Sequence, residues 1–135
     1  MNKELSKAWL LSALADLKTM EHLLEDEFLA HVVAFHGQQC VEKSFKAILE
    51  NAHKRVPKDH STLRLYGLIK SHVNLDIDIE ILTDFDDLYL NARYPGEFGL
   101  LPHGAPSREE AEEFYETARD IFYSICKELN IYFQK

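Results

Sequence analysis

The chain has 135 residues, a net charge of −8, 46% hydrophobic residues and two cysteines. That length suits one domain, expected to span residues 1–135, and burial of roughly 65–70% of the unfolded surface is enough to fold it without a disulfide or a metal. The acidic balance opposes a broad surface that tracks phosphates, which would be rich in Lys and Arg, but it is compatible with a small basic pocket inside an acidic shell.

Helical periodicity dominates. The first helix is expected from Lys3 to Glu25, where Leu10, Ala13, Leu17, Met20 and Leu24 step by three and four into one apolar stripe. Trp9, Ser12 and Asp16 fall on a neighbouring face. The second helix is expected from Phe28 to His53. Its apolar arc, with Leu29, Val33, Cys40, Val41, Ala47 and Ile48, is wide enough to pack against more than one helix. The short break at Glu25–Glu27 makes the first two helices an antiparallel hairpin. Val56-Pro57 is expected to stop the second helix, because the residue before proline avoids helical angles.

The third helix is expected over Ser61–Ser71, with Leu65, Leu68 and Ile69 as its apolar contacts and Asp59 or Ser61 as its cap. The fourth is expected over Ile77–Ala92, with Ile81, Leu82, Phe85, Leu88, Tyr89 and Ala92 as its stripe. Asp76 or Asp78 suits its start, where carboxylates complement the helix dipole. The segment Tyr94–Pro106 holds three of the four prolines and three of the five glycines, so it reads as loop. The fifth helix has a sharp start. Ser107 stands as N-cap and Glu110 at the third helical position, a capping box. Ala111, Phe114, Ala118, Ile121, Ile125 and Leu129 then keep the period. The expected fold class is all-α, an antiparallel up-and-down four-helix bundle with an additional short helix.

Cys40 and Cys126 lie inside these apolar patterns and read as small buried hydrophobes, which suits a reducing, cytoplasmic setting. Asp16 and Lys18 interrupt the apolar character after the charged Met1–Lys7 segment, so no secretory leader is expected. No run approaches the roughly 18 apolar residues of a membrane span, and no membrane association is expected.

Three stretches resemble the HEPN family, specifically its small prokaryotic members. They are Trp9 with Ala15-Asp16-Leu17, then Phe35-His36-Gly37-Gln38-Gln39-Cys40-Val41-Glu42-Lys43-Ser44-Phe45-Lys46-Ala47 followed by Pro57-Lys58-Asp59-His60-Ser61, and then Tyr89 with Arg93-Tyr94-Pro95. Their order and spacing cover nearly the whole chain. The resemblance implies a four-helix core with an extra short helix, a homodimer, and pairing with a minimal nucleotidyltransferase. Some members of that family are ribonuclease toxins of toxin–antitoxin pairs.

His36, Gln39, Lys43 and Lys46 recur at i, i+3, i+7 and i+10 and share one face, flanked by Glu42. Such a stripe is either a solvated face or a set of donors for a phosphate or nucleotide. Arg93 follows Tyr89 by about one turn. It either pairs with the end of the fourth helix or binds an anion through its planar fork. With Tyr94, these residues make up the candidate ligand-binding set.

The resemblance further implies that ribonuclease members carry an Arg and a His separated by four to six residues near this point. Here the next histidine after Arg93 is His103, with nine residues between. If the chain is an enzyme, Arg93 and His103 are the candidate catalytic pair for metal-independent RNA cleavage. The literal match, Arg55 to His60, falls in the loop after the second helix. A core-facing Asp16 needs a partner and reads as a structural hydrogen bond or ion pair with another helix. One Glu-x-x-His pair, Glu50 and His53, falls short of a di-iron bundle site, which needs two such pairs plus two further glutamates. No metal and no cofactor are expected. The leading functional reading is a nucleotide- or RNA-phosphate-binding module beside a nucleotidyltransferase. The alternatives are a ribonuclease toxin and a non-catalytic interaction protein.

Overall fold

The computed structural model describes residues 2–91 and 105–133. All regular structure among them is helical: α1 (Asn2–Leu23), a 3-10 turn (Glu27–Leu29), α2 (Ala30–Asn51), α3 (Thr62–Ile69), α4 (Ile79–Asn91) and α5 (Arg108–Leu129). The architecture is the expected helical bundle, with α3 as the short extra helix.

The central element is α2, which packs on all four other helices. Fourteen of its twenty-two residues are buried, so its apolar arc serves several neighbours at once. α1 packs along it through Leu10, Ala13, Leu17 and Met20, all fully buried. The close approach depends on Gly37. A Cβ there would stand 2.7 Å from the Phe85 ring on α4 and 2.8 Å from the Met20 methyl on α1. α5 closes the core with Phe114, Ile121, Phe122 and Ile125, and Phe114 packs on Phe85 with ring centroids 4.8 Å apart. The thiols of Cys40 and Cys126 are both buried and free. Burial pushes Cys126 up to about 11 and Cys40 further still, so both stay protonated and inert.

Local signals explain most helix ends. Ser61 caps α3 by accepting from the Arg64 amide. Asp78 accepts from the Glu80 amide at the start of α4. Ser107 and Glu110 form the expected reciprocal capping box on α5.

Four expectations need correction. α1 ends at Leu23, and an Asp26-capped 3-10 turn intervenes before α2. α2 stops at Asn51, well before Val56-Pro57. There His53 takes a left-handed φ of 59° and its amide and that of Lys54 return to the carbonyls of Glu50 and Leu49, a Schellman ending. α4 begins at Ile79, two residues later than expected. Leu68 is half exposed, because α3 turns Thr62, Leu65, Tyr66 and Ile69 toward the core and Leu68 away from it. Phe122 of α5 is fully buried with Phe133 packed on it, while Tyr123 and Tyr132 stay exposed.

Candidate functional site

The polar stripe of α2 does not simply face solvent. It resolves into two clusters. In the first, Asp16 on α1 receives both Lys43 Nζ, at 2.8 Å to Oδ2, and His36 Nδ1, at 2.9 Å to Oδ1. The carboxylate is buried, while Lys43 and His36 keep about a quarter of their side-chain surface. Asp16 thus has the structural partners its core-facing position demanded, and it holds an ammonium and an imidazole side by side at the surface.

The second cluster is centred on Glu42. Lys46 Nζ donates to Oε2 at 2.9 Å, and both side chains are only 5% exposed. The amides of Gln38 and Gln39 donate to Oε1 at 3.3 and 3.4 Å. His60 Nδ1 lies 3.2 Å from the same oxygen. The Lys46 ammonium also stands 5.5 Å over the Trp9 ring, whose Nε1 donates to Glu50 Oε2 at 3.0 Å. Lys46 is therefore enclosed and paired, and it reaches the surface only through what Glu42 holds.

Rings join the two clusters. Phe35 meets His36 edge-on at 5.5 Å and stacks on Tyr89 of α4 at 5.8 Å. Tyr89 in turn lies 5.3 Å from the His60 ring. The strip runs without a break from Lys43, Asp16 and His36, through Phe35 and Tyr89, to His60, Glu42 and Lys46. Beside its far end is a cavity of about 720 Å³ between the loop before α3, α3 itself and α4, lined by Lys58, His60, Leu63, Asp87, Tyr89 and Leu90 among others.

Two further carboxylates on that cavity are already committed. Arg64 grips Asp59 through two hydrogen bonds, at 2.7 and 2.8 Å, and holds its carboxyl down at about 2. Asp86 of α4 sits at the N-terminus of α3. It accepts from the amides of Thr62 and Leu63 and the hydroxyls of Ser61 and Thr62. Sequence reasoning missed Asp86, because nothing local marks a cap supplied from 24 residues away. It also set His60 aside. The one available signal was that His60 belongs to the stretch that carries the resemblance.

Of the sequence-derived candidates, the structure brings His36, Lys43, Gln39, Lys46 and Tyr89 into this one strip. Arg93, Tyr94 and His103 lie outside the described residues. Glu50 is engaged with Trp9, and no group of three or more His, Cys, Asp or Glu among the described residues is arranged to hold a metal ion.

The fold and strip define a class: a helical bundle whose central helix carries a paired-charge and aromatic surface. The chain belongs to the HEPN family, whose domain model matches residues 6–129. The crystal structure of TT1696 from Thermus thermophilus superposes on it with a TM-score of 0.73 at 27% identity, covering 95% of this chain and 99% of that one. No curated protein matched the chain. No helix among the described residues is long and apolar enough to cross a membrane.

Proposed function

We propose that this HEPN-family chain binds a nucleotide or an RNA phosphate along the α2 strip and works beside a nucleotidyltransferase partner. One observation carries the binding half of this reading. Nitrogen-bearing and aromatic side chains alternate along one continuous surface next to a cavity: Lys43 and His36, then Phe35 and Tyr89, then His60. Nucleotides are held by that combination, since rings meet the base face and ammonium or imidazole groups meet the phosphate. Asp16 accepts from Lys43 through Oδ2 and meets His36 Nδ1 through Oδ1, which leaves the other N–H donors of the Lys43 ammonium and the outer edge of the His36 ring to a ligand. Arg93, four residues beyond Tyr89 in sequence, is the further phosphate ligand in this reading. The partner and a homodimeric state are proposed on the family membership.

Titration calorimetry with a mononucleotide and a short RNA tests the reading. Lys43→Ala and Arg93→Ala should each weaken binding by at least about tenfold, the worth of one charge-assisted hydrogen bond, with little change in melting temperature for Arg93→Ala. Wild-type protein that binds neither ligand at millimolar concentration would overturn it in favour of the interaction-protein reading.

A further inference from the structure

His60 is held more tightly than a loop histidine needs to be. Its ring Nδ1 faces Glu42, its ring face lies on Tyr89, and its carbonyl accepts from the Gln38 amide. The following residues are pinned as well, with the Ser61 amide donating to Asp59 and Arg64 clamping the same carboxylate. Yet the His60 side chain is 53% exposed, and it lines the cavity.

Beneath it, Glu42 and Lys46 form an almost fully buried ion pair. An apolar pair of the same volume commonly stabilises a core as well or better, so stability alone does not account for it. Orientation of His60 does. A carboxylate only accepts hydrogen bonds, so the neutral ring places its N–H on Nδ1 and its lone pair on Nε2. The committed nitrogen points inward to Glu42, and Nε2 is left on the opposite edge of a ring that lines the cavity.

The cavity's chemistry suits hydroxyl donors. His60 Nε2 and the Asp87 carboxylate are acceptors, and Tyr89 and Leu90 supply an apolar wall. Three carboxylates, Asp59, Asp86 and Asp87, line the cavity against two cations, Lys58 and Arg64, so its balance of charge is unfavourable to a phosphate, while Lys43 at the other end of the strip offers one an ammonium. A cavity of about 720 Å³ is the size that takes a small organic ligand. We infer that the cavity is a ribose-recognition subsite, in which His60 Nε2 accepts a hydrogen bond from a 2′-hydroxyl and so favours ribonucleotides over deoxyribonucleotides. Glu42 is the positioning residue that selects the accepting nitrogen. This inference rests on the nucleotide-binding reading above and assigns its sugar specificity.

The test compares single-stranded hexamers of riboadenylate and deoxyriboadenylate by fluorescence anisotropy, using wild type, His60→Ala, His60→Gln and Lys43→Ala. Wild type should prefer the ribo-hexamer about tenfold, the effect of one hydrogen bond in a site built around it. His60→Ala should remove that preference by weakening the ribo-hexamer alone. His60→Gln, whose amide oxygen still accepts, should restore part of it. Lys43→Ala should weaken both hexamers equally. Long-range proton–nitrogen correlation spectra should show His60 Nε2 shifting on addition of AMP and not of dAMP, a readout that a loosened loop would not produce. Equal binding of the two hexamers by wild type, or a ribo preference that survives His60→Ala, overturns the inference while leaving nucleotide binding intact. Absence of binding to either hexamer overturns the nucleotide-binding reading itself.

Discussion

Asp86→Ala removes an acceptor that ties α4 to the start of α3, and its effect can be worked out contact by contact. Four donors point at this carboxylate, three at 2.8 Å and the Leu63 amide at 3.2 Å. They do not all count equally. The Thr62 hydroxyl has one hydrogen and a second acceptor within reach, the Leu82 carbonyl at 3.1 Å, so it can turn there. The Leu63 amide is exposed and can bond to water. The Ser61 hydroxyl is partly buried and can reorient. The Thr62 amide has neither option, because Thr62 is fully buried. Leaving it unsatisfied costs about 1–3 kcal/mol, and loss of a carboxylate at a helix N-terminus adds about 0.3–1 kcal/mol. Asp86→Ala should therefore lower the unfolding free energy by about 1.3–4 kcal/mol. Asp86→Asn keeps one oxygen but turns an NH2 toward the donors, so it should fall between wild type and alanine. Urea denaturation followed by circular dichroism measures both, with the slope unchanged. A loss under about 0.5 kcal/mol, the level of an ordinary surface substitution, would show that the carboxylate does not hold the Thr62 amide.

The two helical glycines among the described residues, Gly37 and Gly67, should respond to alanine with opposite signs. At Gly67 a Cβ meets nothing within 4 Å, so Gly67→Ala should raise stability by about 0.5–1 kcal/mol through helix propensity. At Gly37 the Met20 methyl can swing away but the buried Phe85 ring cannot, so overpacking of about 1–3 kcal/mol outweighs the same propensity gain and Gly37→Ala should destabilise. Equal shifts in thermal melting would contradict the packing described for α2. Ser107→Ala should cost about 0.5–2 kcal/mol by removing the acceptor for the Glu110 amide, and an unchanged urea midpoint would place the start of α5 elsewhere. The Asp59 carboxyl is held at about 2 by Arg64, below its ordinary 3.8. Its contribution to stability is therefore complete above about pH 4 and is lost as pH falls toward 2. Urea midpoints measured between pH 5 and 2 should fall less steeply in Asp59→Asn than in wild type.

Much of the fold was legible in the chain because it is written in short-range terms. The 3-4 spacing of Leu10, Ala13, Leu17 and Met20, and of Ala111, Phe114, Ala118 and Ile121, marks buried stripes without knowledge of what they touch. The Ser107–Glu110 box is a contact between residues three apart, so it is visible in the sequence itself. Elements set by backbone geometry read less well. The left-handed turn at His53 has no glycine to announce it, and Val56-Pro57 was the more obvious stop.

The candidate site divides the same way. Helical spacing placed His36, Gln39, Lys43 and Lys46 on one face, but that spacing is silent on which charges are spent inside the molecule. Only the tertiary structure pairs Lys43 with Asp16, 27 positions away, and encloses Lys46 between Glu42 and Trp9. Only it sets His60 against Tyr89, and Asp86 under α3. Side-chain periodicity is a property of one helix, while the charge and hydrogen-bonding capacity left at a surface depend on what neighbouring helices have already neutralised.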